Sequence, residues 1–433
     1  MGFLVDMEAL YSLFLKSSGV ETDTRKIKPN CLFFCLKGEH FDGNIFAAEA
    51  LEKGALAVVV DNKDYVLNEQ TILVENTLKT IQDLARHHRK QFNIPVLGIT
   101  GSNGKTTSKE LIASVLSTQL NVHFTSGNLN NHLGVPLTLL QLNQTHELAV
   151  IEMGANKPGD IQELVEIALP THGIITNIGR AHLEGFKNLD GVVQTKTELY
   201  RFIAQTKGQL FCNKKDELLV GQLPQGVTVH FYNDDAELKG ELVRLTPFVE
   251  MRWQHDSYLS ELLETHLVGE YNFINFLAAI RIGMHFGITP ENCSKAIVEY
   301  QPTNNRSQVT KTTRNTLIVD CYNANPTSMC SALSSFAKIE HPAKIFILGD
   351  MREMGAEAEA VHKEVVQQTI EHRLSGFFIG EEFLKCKGSH PSAIFLKSME
   401  PLIEHFKNNP PENLMILLKG SRGIALEKVI PFL

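Results

Sequence analysis

Three absences bound what this chain of 433 residues can be. No uninterrupted apolar run approaches the ~18 residues that a membrane-spanning helix needs, so no membrane insertion is expected. No basic excess exists: lysine and arginine total 41 against 49 aspartate and glutamate, a formal net charge of −8. Global attraction to nucleic acid or to an anionic membrane is therefore not expected. No disulfide framework is present either, because the seven cysteines are odd in number and irregularly spaced. That usage points to a reducing, cytoplasmic setting. Cys31 and Cys35 fall four apart in an apolar run and read as buried thiols rather than metal ligands. Asp6 and Glu8 interrupt the apolar start of the chain, which does not read as a signal peptide. Repeats and low-complexity tracts are missing as well.

What is there is a globular composition, 43% hydrophobic and 21% charged, on a chain too long for one ordinary core. Residues 1–90 mix short β-rich runs (31–36, 57–60, 71–74) with helical patterns (46–53, 78–88), separated by turn signals. They read as a small α/β module. The basic cluster 86–90 at the end of its second helix is explained by the helix dipole more cheaply than by nucleic acid. From 91 to 301 strand and helix alternate. Strands are expected at 94–99, 148–151, 173–176 and 209–212, with Glu152, Asn177 and Asn213 just past the last three. Residues 214–265 are polar and less periodic, and a helix is expected over 272–286. The turn-rich stretch 300–305 reads as a linker. A third α/β pattern follows over 302–433, with strands at 317–319, 345–348, 376–379 and 414–418. Polar residues after strand ends mark the edge at which open α/β sheets bind ligands.

The stretch that organises the rest is Thr100-Gly101-Ser102-Asn103-Gly104-Lys105-Thr106-Thr107. It sits between an apolar strand run and a helical pattern carrying Leu111, Ile112, Val115 and Leu116, the setting a phosphate loop requires. Gly101 and Gly104 let backbone N–H groups turn toward an anion. The helix start adds its positive dipole end. Lys105 offers a mobile charge to the outer phosphates, and Thr106 a hydroxyl to Mg²⁺. The commoner loop has a glycine where this chain has Ile99, so this is the shorter GxxGKT form. The bland alternative is a tight strand-to-helix turn with an incidental lysine.

Other candidates are less specific taken singly. Glu152 is placed to ligate Mg²⁺, or else to cap a helix or form a salt bridge. His182 lies in a polar loop, where most histidines only hydrogen-bond. Lys196 begins a helical pattern and by composition is a solvated lysine. Asn213-Lys214-Lys215-Asp216 fits the guanine-reading NKxD sequence. However, no DxxG segment accompanies it, and the loop lacks GTPase glycine spacing.

Taken together, TGSNGKTT, SGNLNNHLGVPLTLL, VIEMGANKPGDI, NIGRAHLEGF, TKTELY, GEYNFINFLAA, DCYNANPTSM, LGDMREMG and LLKGSRG occur in an order that resembles the Mur ligase family. The N-terminal TDTRKIKPNCLFFCLKGEHFDGN is similar to that family's UDP-binding module, so nearly the whole chain is covered. The resemblance implies an α/β fold of three domains. These are a small UDP-substrate module (1–90), a central doubly wound sheet of the P-loop ATPase type (91–301) and a Rossmann-like C-terminal α/β domain (302–433). It implies an ATP-dependent peptide ligase of peptidoglycan synthesis. DCYNANPTSM and LGDMREMG, with no DNPR-like segment, favour the member that adds D-alanyl-D-alanine to UDP-N-acetylmuramoyl-tripeptide. Rival readings are a family relative with another acceptor, such as a folate-polyglutamylating ligase, and a non-catalytic nucleotide-gated binding protein.

Residue roles follow from the resemblance in the same way. Gly101, Ser102, Asn103, Gly104, Lys105, Thr106 and Thr107 would hold ATP phosphates, with Lys105, His182 and Lys196 catalytic. Two Mg²⁺ ions would be ligated by Thr106, Glu152 and His182, with Lys196 carried as a CO₂-derived carbamate. Asn272 and Asn275 would contact adenine, and Arg306 and Asp320 would reach the nucleotide from the C-terminal domain. Thr24, Arg25, Asp42, Gly43 and Asn44 would face the UDP end. Asn323, Asn325, Lys419, Ser421 and Arg422 would lie on the dipeptide side. Many relatives carry histidine where this chain has Asn44 and Tyr271. The expected partners are the two small-molecule substrates, and a monomer is expected.

Overall fold

The structure is a computed structural model that describes residues 6–245, 247–302 and 306–433. Of the expected linker at 300–305, residues 303–305 lie outside the described ones. The chain forms two compact units. One comprises Met1–Ile99, Leu120–Gly154 and Asp160–Gly173, the other Thr100–Gln119, Ala155–Gly159 and Ile174–Leu433.

The first unit begins with a parallel sheet of order β1 (Val20–Glu21), β2 (Leu32–Phe34), β3 (Ala57–Val60) and β4 (Thr71–Leu73). Alternate residues share a face of a strand, so Phe33, Val58 and Val60 pack in one cluster with Cys31 and Cys35. Both cysteines are buried thiols as expected, and burial pushes Cys35 up to about 12. Helix α1 (Thr77–Arg89) is capped by Asn76, whose side chain accepts from the Lys79 N–H. Its basic end is structural. Arg89 is buried and donates to the carbonyls of Ala168, Phe92, Ile94 and Leu169. His88 is buried against the Leu142 carbonyl.

A six-stranded sheet carries the phosphate loop. Its strands are β5 (Val96–Thr100), β6 (Val122–Phe124), β7 (Leu148–Glu152), β8 (His172–Ile175), β9 (Gln209–Asn213) and β10 (Thr228–Tyr232), in the order β10-β9-β8-β5-β7-β6. The pairs β9–β10, β5–β7 and β6–β7 run parallel. Strands β5 and β7 are buried along their whole length, as parallel strands covered on both faces must be. Helix α2 (Lys105–Leu116) starts at Lys105, well before the apolar residues Leu111 and Ile112, which puts Lys105 and Thr106 in its first turn.

The stretch 214–265 is not loose. After β10 it builds an antiparallel sheet of β11 (Lys239–Leu245), β12 (Phe248–His255), β13 (Tyr258–Leu259) and β14 (Leu263–Val268), with β12 pairing all three others. The alternation was written in Val249, Met251 and Trp253, which point inward from β12 between exposed or half-exposed residues. Charged outward positions diluted the apolar signal. Asp216 of the NKxD fragment accepts from the Leu219 N–H and caps the short helix Glu217–Val220. It is a structural residue.

The C-terminal part is a second six-stranded sheet of β15 (Gln308–Lys311), β16 (Thr316–Asp320), β17 (Lys344–Gly349), β18 (Gly376–Ile379), β19 (Ile394–Leu396) and β20 (Met415–Lys419). Its order is β15-β16-β20-β17-β18-β19, parallel apart from β15. Ile318, Phe346, Leu348, Phe378 and Leu417 face one core, whereas Leu317, Val319, Ile347, Ile379 and Leu418 face the other.

The helix Tyr271–His285 packs against β9 and β10, where its His285 meets His230 of β10. The rings of His230 and His285 lie 4.3 Å apart. Arg281 donates to the His230 Nδ1 (3.2 Å), so the His230 proton sits on Nε2 and goes to Gln209 Oε1 (2.6 Å). Burial, His230 and Arg281 bring His285 down to about 4. The unfolded chain, with an ordinary histidine near 6.5, takes up this proton first, so acidification from pH 6.5 toward about 4 favours unfolding. His285→Gln should flatten the loss of stability across that window, read as urea midpoints at a series of pH values. An unchanged slope would contradict the assignment.

Candidate functional site

The loop after β5 is held by the end of β8. Thr176 N–H donates to the Thr100 carbonyl, and Ser102 N–H to the Asn177 carbonyl (both 2.9 Å). Thr176 Oγ1 (2.6 Å) and Asn177 Nδ2 (2.9 Å) both donate to the Asn103 carbonyl, while Asn103 N–H donates to Asn177 Oδ1 (3.0 Å). Ser102 Oγ and Gly179 exchange hydrogen bonds at 3.0 Å. Two glycines make this packing feasible. A Cβ on Gly101 would lie 1.9 Å from Thr176 Oγ1. Gly104 has φ +77 at the N-cap of α2, and a Cβ there would lie 3.1 Å from Asn275 Oδ1. Lys105 Nζ lies over the loop, donating to the Gly101 carbonyl at 2.7 Å.

Helix α3 (Leu189–Lys196) ends on Lys196, which is only 1% exposed. The solvated-lysine reading therefore fails: its Nζ sits 5.6 Å from the Phe186 ring centre. His182 is in left-handed conformation at the N-cap of the short helix Leu183–Phe186, and its Nδ1 pairs with Glu353. That bond holds the Glu353 carboxyl below the usual range. The Glu353 carbonyl also accepts from the Glu184 N–H at 3.1 Å. Glu152, at the end of β7 beside Ile99, accepts from Asn130 Nδ2 at 2.7 Å.

Helix α4 (Tyr271–His285) packs along α2 and carries Asn272 and Asn275. Both expected adenine contacts are buried and bonded within the protein. Asn272 Nδ2 donates to the Val268 carbonyl, Asn275 Nδ2 to Asn272 Oδ1, and Ser108 Oγ to Asn275 Oδ1. Asn275 thus fixes the helix against the phosphate loop. Tyr271 hydrogen-bonds Ser307 through its hydroxyl at 2.7 Å.

The expected dipeptide-side residues make bonds within the protein. Lys419, 2% exposed, donates to Asp320 Oδ2 at 2.6 Å and to the Asn323 carbonyl at 3.4 Å. Asp320 and Lys419, assigned to two different ligands from sequence, are one ion pair. Ser421 Oγ accepts from the Arg352 N–H. Arg306 lies 3.9 Å above the Tyr322 ring, with Arg422 at 5.5 Å. Asn325 caps helix α5 (Pro326–Lys338) and reaches the phosphate loop, donating to Asn103 Oδ1 at 2.7 Å.

In the first unit a cavity of about 470 Å³ is lined by Thr24, Arg25 and Gly43, with Phe33, Phe41 and Phe46. Asn44 does not line it. That side chain is fully buried, donating to Asp42 and Asp61 and accepting from the Asp61 N–H. It is a brace for the cavity wall.

Sequence reading missed Thr176 and Glu353 altogether, and it noted Asn177 only as a strand-end polar residue. For Thr176 and Asn177 the signal that could have found them was a polar side chain just past the end of a strand, whereas Glu353 lies four residues beyond the end of β17.

These features define a phosphate-loop α/β protein. Family models agree over three stretches: "Mur ligase family, catalytic domain" over 16–92, "Mur ligase middle domain" over 99–283 and "Mur ligase, glutamate ligase domain" over 305–422. A curated relative from Bacillus subtilis, UDP-N-acetylmuramoyl-tripeptide–D-alanyl-D-alanine ligase, is 34% identical over 95% of this chain and 92% of its own. The solved structure of MurF from Acinetobacter baumannii matches with a TM-score of 0.86 at 27% identity, over 95% of this chain and 92% of that one. MurF ligase from Thermotoga maritima, solved in complex with ADP, matches with a TM-score of 0.86 at 25% identity, over 96% and 97%. The chain belongs to the Mur ligase family.

If the loop binds phosphate through its packing on Thr176, Gly101→Ala should weaken nucleotide binding by about tenfold or more, measured calorimetrically. Wild-type affinity in that variant would contradict the geometry.

Proposed function

We propose that this chain joins D-alanyl-D-alanine to UDP-N-acetylmuramoyl-tripeptide at the expense of ATP, in the cytoplasm, as the last soluble step of the precursor's assembly. The observation that carries it is the match along nearly the whole chain to relatives named for that reaction. The ADP complex of a neighbour supports the nucleotide.

A carboxylate oxygen of the tripeptide attacks the γ-phosphorus of ATP, and ADP leaves. The amine of the dipeptide attacks the resulting acyl phosphate at its carbonyl carbon. The tetrahedral species collapses to the amide, with inorganic phosphate leaving and the amine proton released. Negative charge crowds the first step. Lys105, already curled over the loop, meets the outer phosphates, and the backbone N–H groups and dipole of α2 receive the others. Orientation supplies much of the remaining acceleration.

Among the described residues no group of three His, Cys, Asp or Glu is gathered to hold a metal ion. That suits Mg²⁺, which keeps several waters and uses one or two protein ligands plus phosphate oxygens. We assign Thr106 and Glu152 to a first ion and His182 to a second, with Lys196 as a carbamate. When bound the two ions would screen phosphate charge. A carbamate would turn the buried Lys196 from a cation into a carboxylate-like anion able to help hold a metal. Gly101–Thr107, Arg306 and Asp320 are assigned to ATP, with Asn272 and Asn275 shaping its site. Thr24, Arg25 and Gly43 are assigned to the UDP end, the module boundaries at 90/91 and 301/302 are retained, and the working species is a monomer.

The test is phosphate release with ATP, Mg²⁺ and UDP-N-acetylmuramoyl-tripeptide, comparing D-alanyl-D-alanine with single amino acids and glutamate. Release that depends on the dipeptide is expected. Dependence on glutamate or on a single amino acid would replace this acceptor with another. Lys196→Ala should fold, lose activity and regain part of it with short carboxylates. Full activity in the untreated variant would remove the carbamate.

A further inference from the structure

Asn103 and Asn325 lie 222 residues apart and meet side chain to side chain. The direction of that contact is fixed by the helix cap. Asn325 Oδ1 accepts from the Ser328 N–H (2.9 Å), while Ser328 Oγ meets the Asn325 N–H in return (3.1 Å). An asparagine that caps a helix must turn its oxygen to the helix, so its amide nitrogen faces outward. That nitrogen is the donor to Asn103 at 2.7 Å. Asn103 must therefore accept with Oδ1, because two amide N–H₂ groups cannot satisfy each other. What remains is Asn103 Nδ2. It is buried and has no hydrogen-bond partner among the described residues.

A buried amide donor left open loses its hydration with nothing in return, and such a group needs an explanation. Here it belongs to the residue before Gly104-Lys105, inside the loop whose glycines and helix start are suited to phosphate. The Asn103 main chain has no freedom to turn the donor elsewhere, since its N–H and C=O are both committed to Asn177 and Thr176.

We propose that Asn103 Nδ2 donates to a phosphoryl oxygen of the bound nucleotide, and that Asn325 is a positioning residue whose helix cap sets which end of the Asn103 amide faces the phosphates. This rests on the nucleotide reading above. It moves Asn325 from the dipeptide side to the phosphate side of the site. The cap of α5 and the loop after β5 then act as one unit, so the helix start dictates a donor on a different element.

The test is equilibrium binding of ADP to the full chain, with thermal unfolding run on every variant. Asn103→Ala removes the donor and should weaken ADP about tenfold. Asn325→Ser keeps a neutral helix cap but loses the amide that orients Asn103. It should weaken ADP several-fold in the wild-type background and have no effect in the Asn103→Ala background, with the unfolding midpoint unchanged. Asn325→Asp keeps the cap but offers Asn103 an acceptor, which would invert its amide; the loss should exceed that of Asn325→Ser. Two results overturn the proposal: Asn103→Ala binding ADP as wild type does, or Asn325→Ser costing the same in both backgrounds. If wild-type protein fails to bind ADP at all, the nucleotide reading falls with it, and that outcome is distinguishable because no variant is then needed to see it.

Discussion

The structure depends on how one strand end clamps a neighbouring loop. Three residues after β8, Thr176, Asn177 and Gly179, hold Thr100, Ser102 and Asn103 through main-chain and side-chain hydrogen bonds. A phosphate loop must present several N–H groups to an anion at once, and those groups must already point inward if binding is not to be spent on ordering them. The clamp supplies that order before any ligand arrives. It also explains the two glycines. At Gly101 the neighbour is too close for a side chain, and at Gly104 the left-handed turn and the approach of Asn275 both exclude one.

From this clamp the remaining polar residues acquire their places. Asn275 presses on the loop from α4, and Asn325 reaches it from the start of α5. The stretch after the clamp carries Arg180, whose N–H donates to Thr327 and whose guanidinium pairs with Glu364, and His182, which pairs with Glu353. Elements separated by well over a hundred residues are thereby drawn to one loop. The Lys419–Asp320 pair shows the same economy. A carboxylate at the end of β16 is fixed by a lysine at the end of its parallel neighbour β20.

Much of this was legible in the sequence because strands and helices in parallel α/β folds announce themselves through length and apolar runs. The strands at 96–100, 148–152, 316–320 and 415–419 follow the apolar runs closely, and the phosphate loop was visible from spacing alone. The antiparallel sheet at 239–268 was not. Its strands alternate, so charged outward residues such as Glu250 and Arg252 masked Val249, Met251 and Trp253. Side-chain pairings were hidden for a different reason. Nothing in local sequence says that Lys419 belongs to Asp320, that Asn44 is spent on Asp61, or that Lys196 is buried. Those facts are products of register and of which strands become neighbours. Motif likeness gave each of these residues a ligand, and the structure adds the protein partners that several of them also have.

The clamp and the chemistry meet in a single claim, that a carboxylate is phosphorylated over this loop before it is captured by an amine. An isotope experiment reaches that claim directly. Tripeptide substrate labelled with ¹⁸O in the reacting carboxylate is turned over with ATP and dipeptide, and the released phosphate is analysed by mass spectrometry. The account predicts one ¹⁸O atom carried into each phosphate. Phosphate free of label, released alongside a newly formed amide, would contradict it.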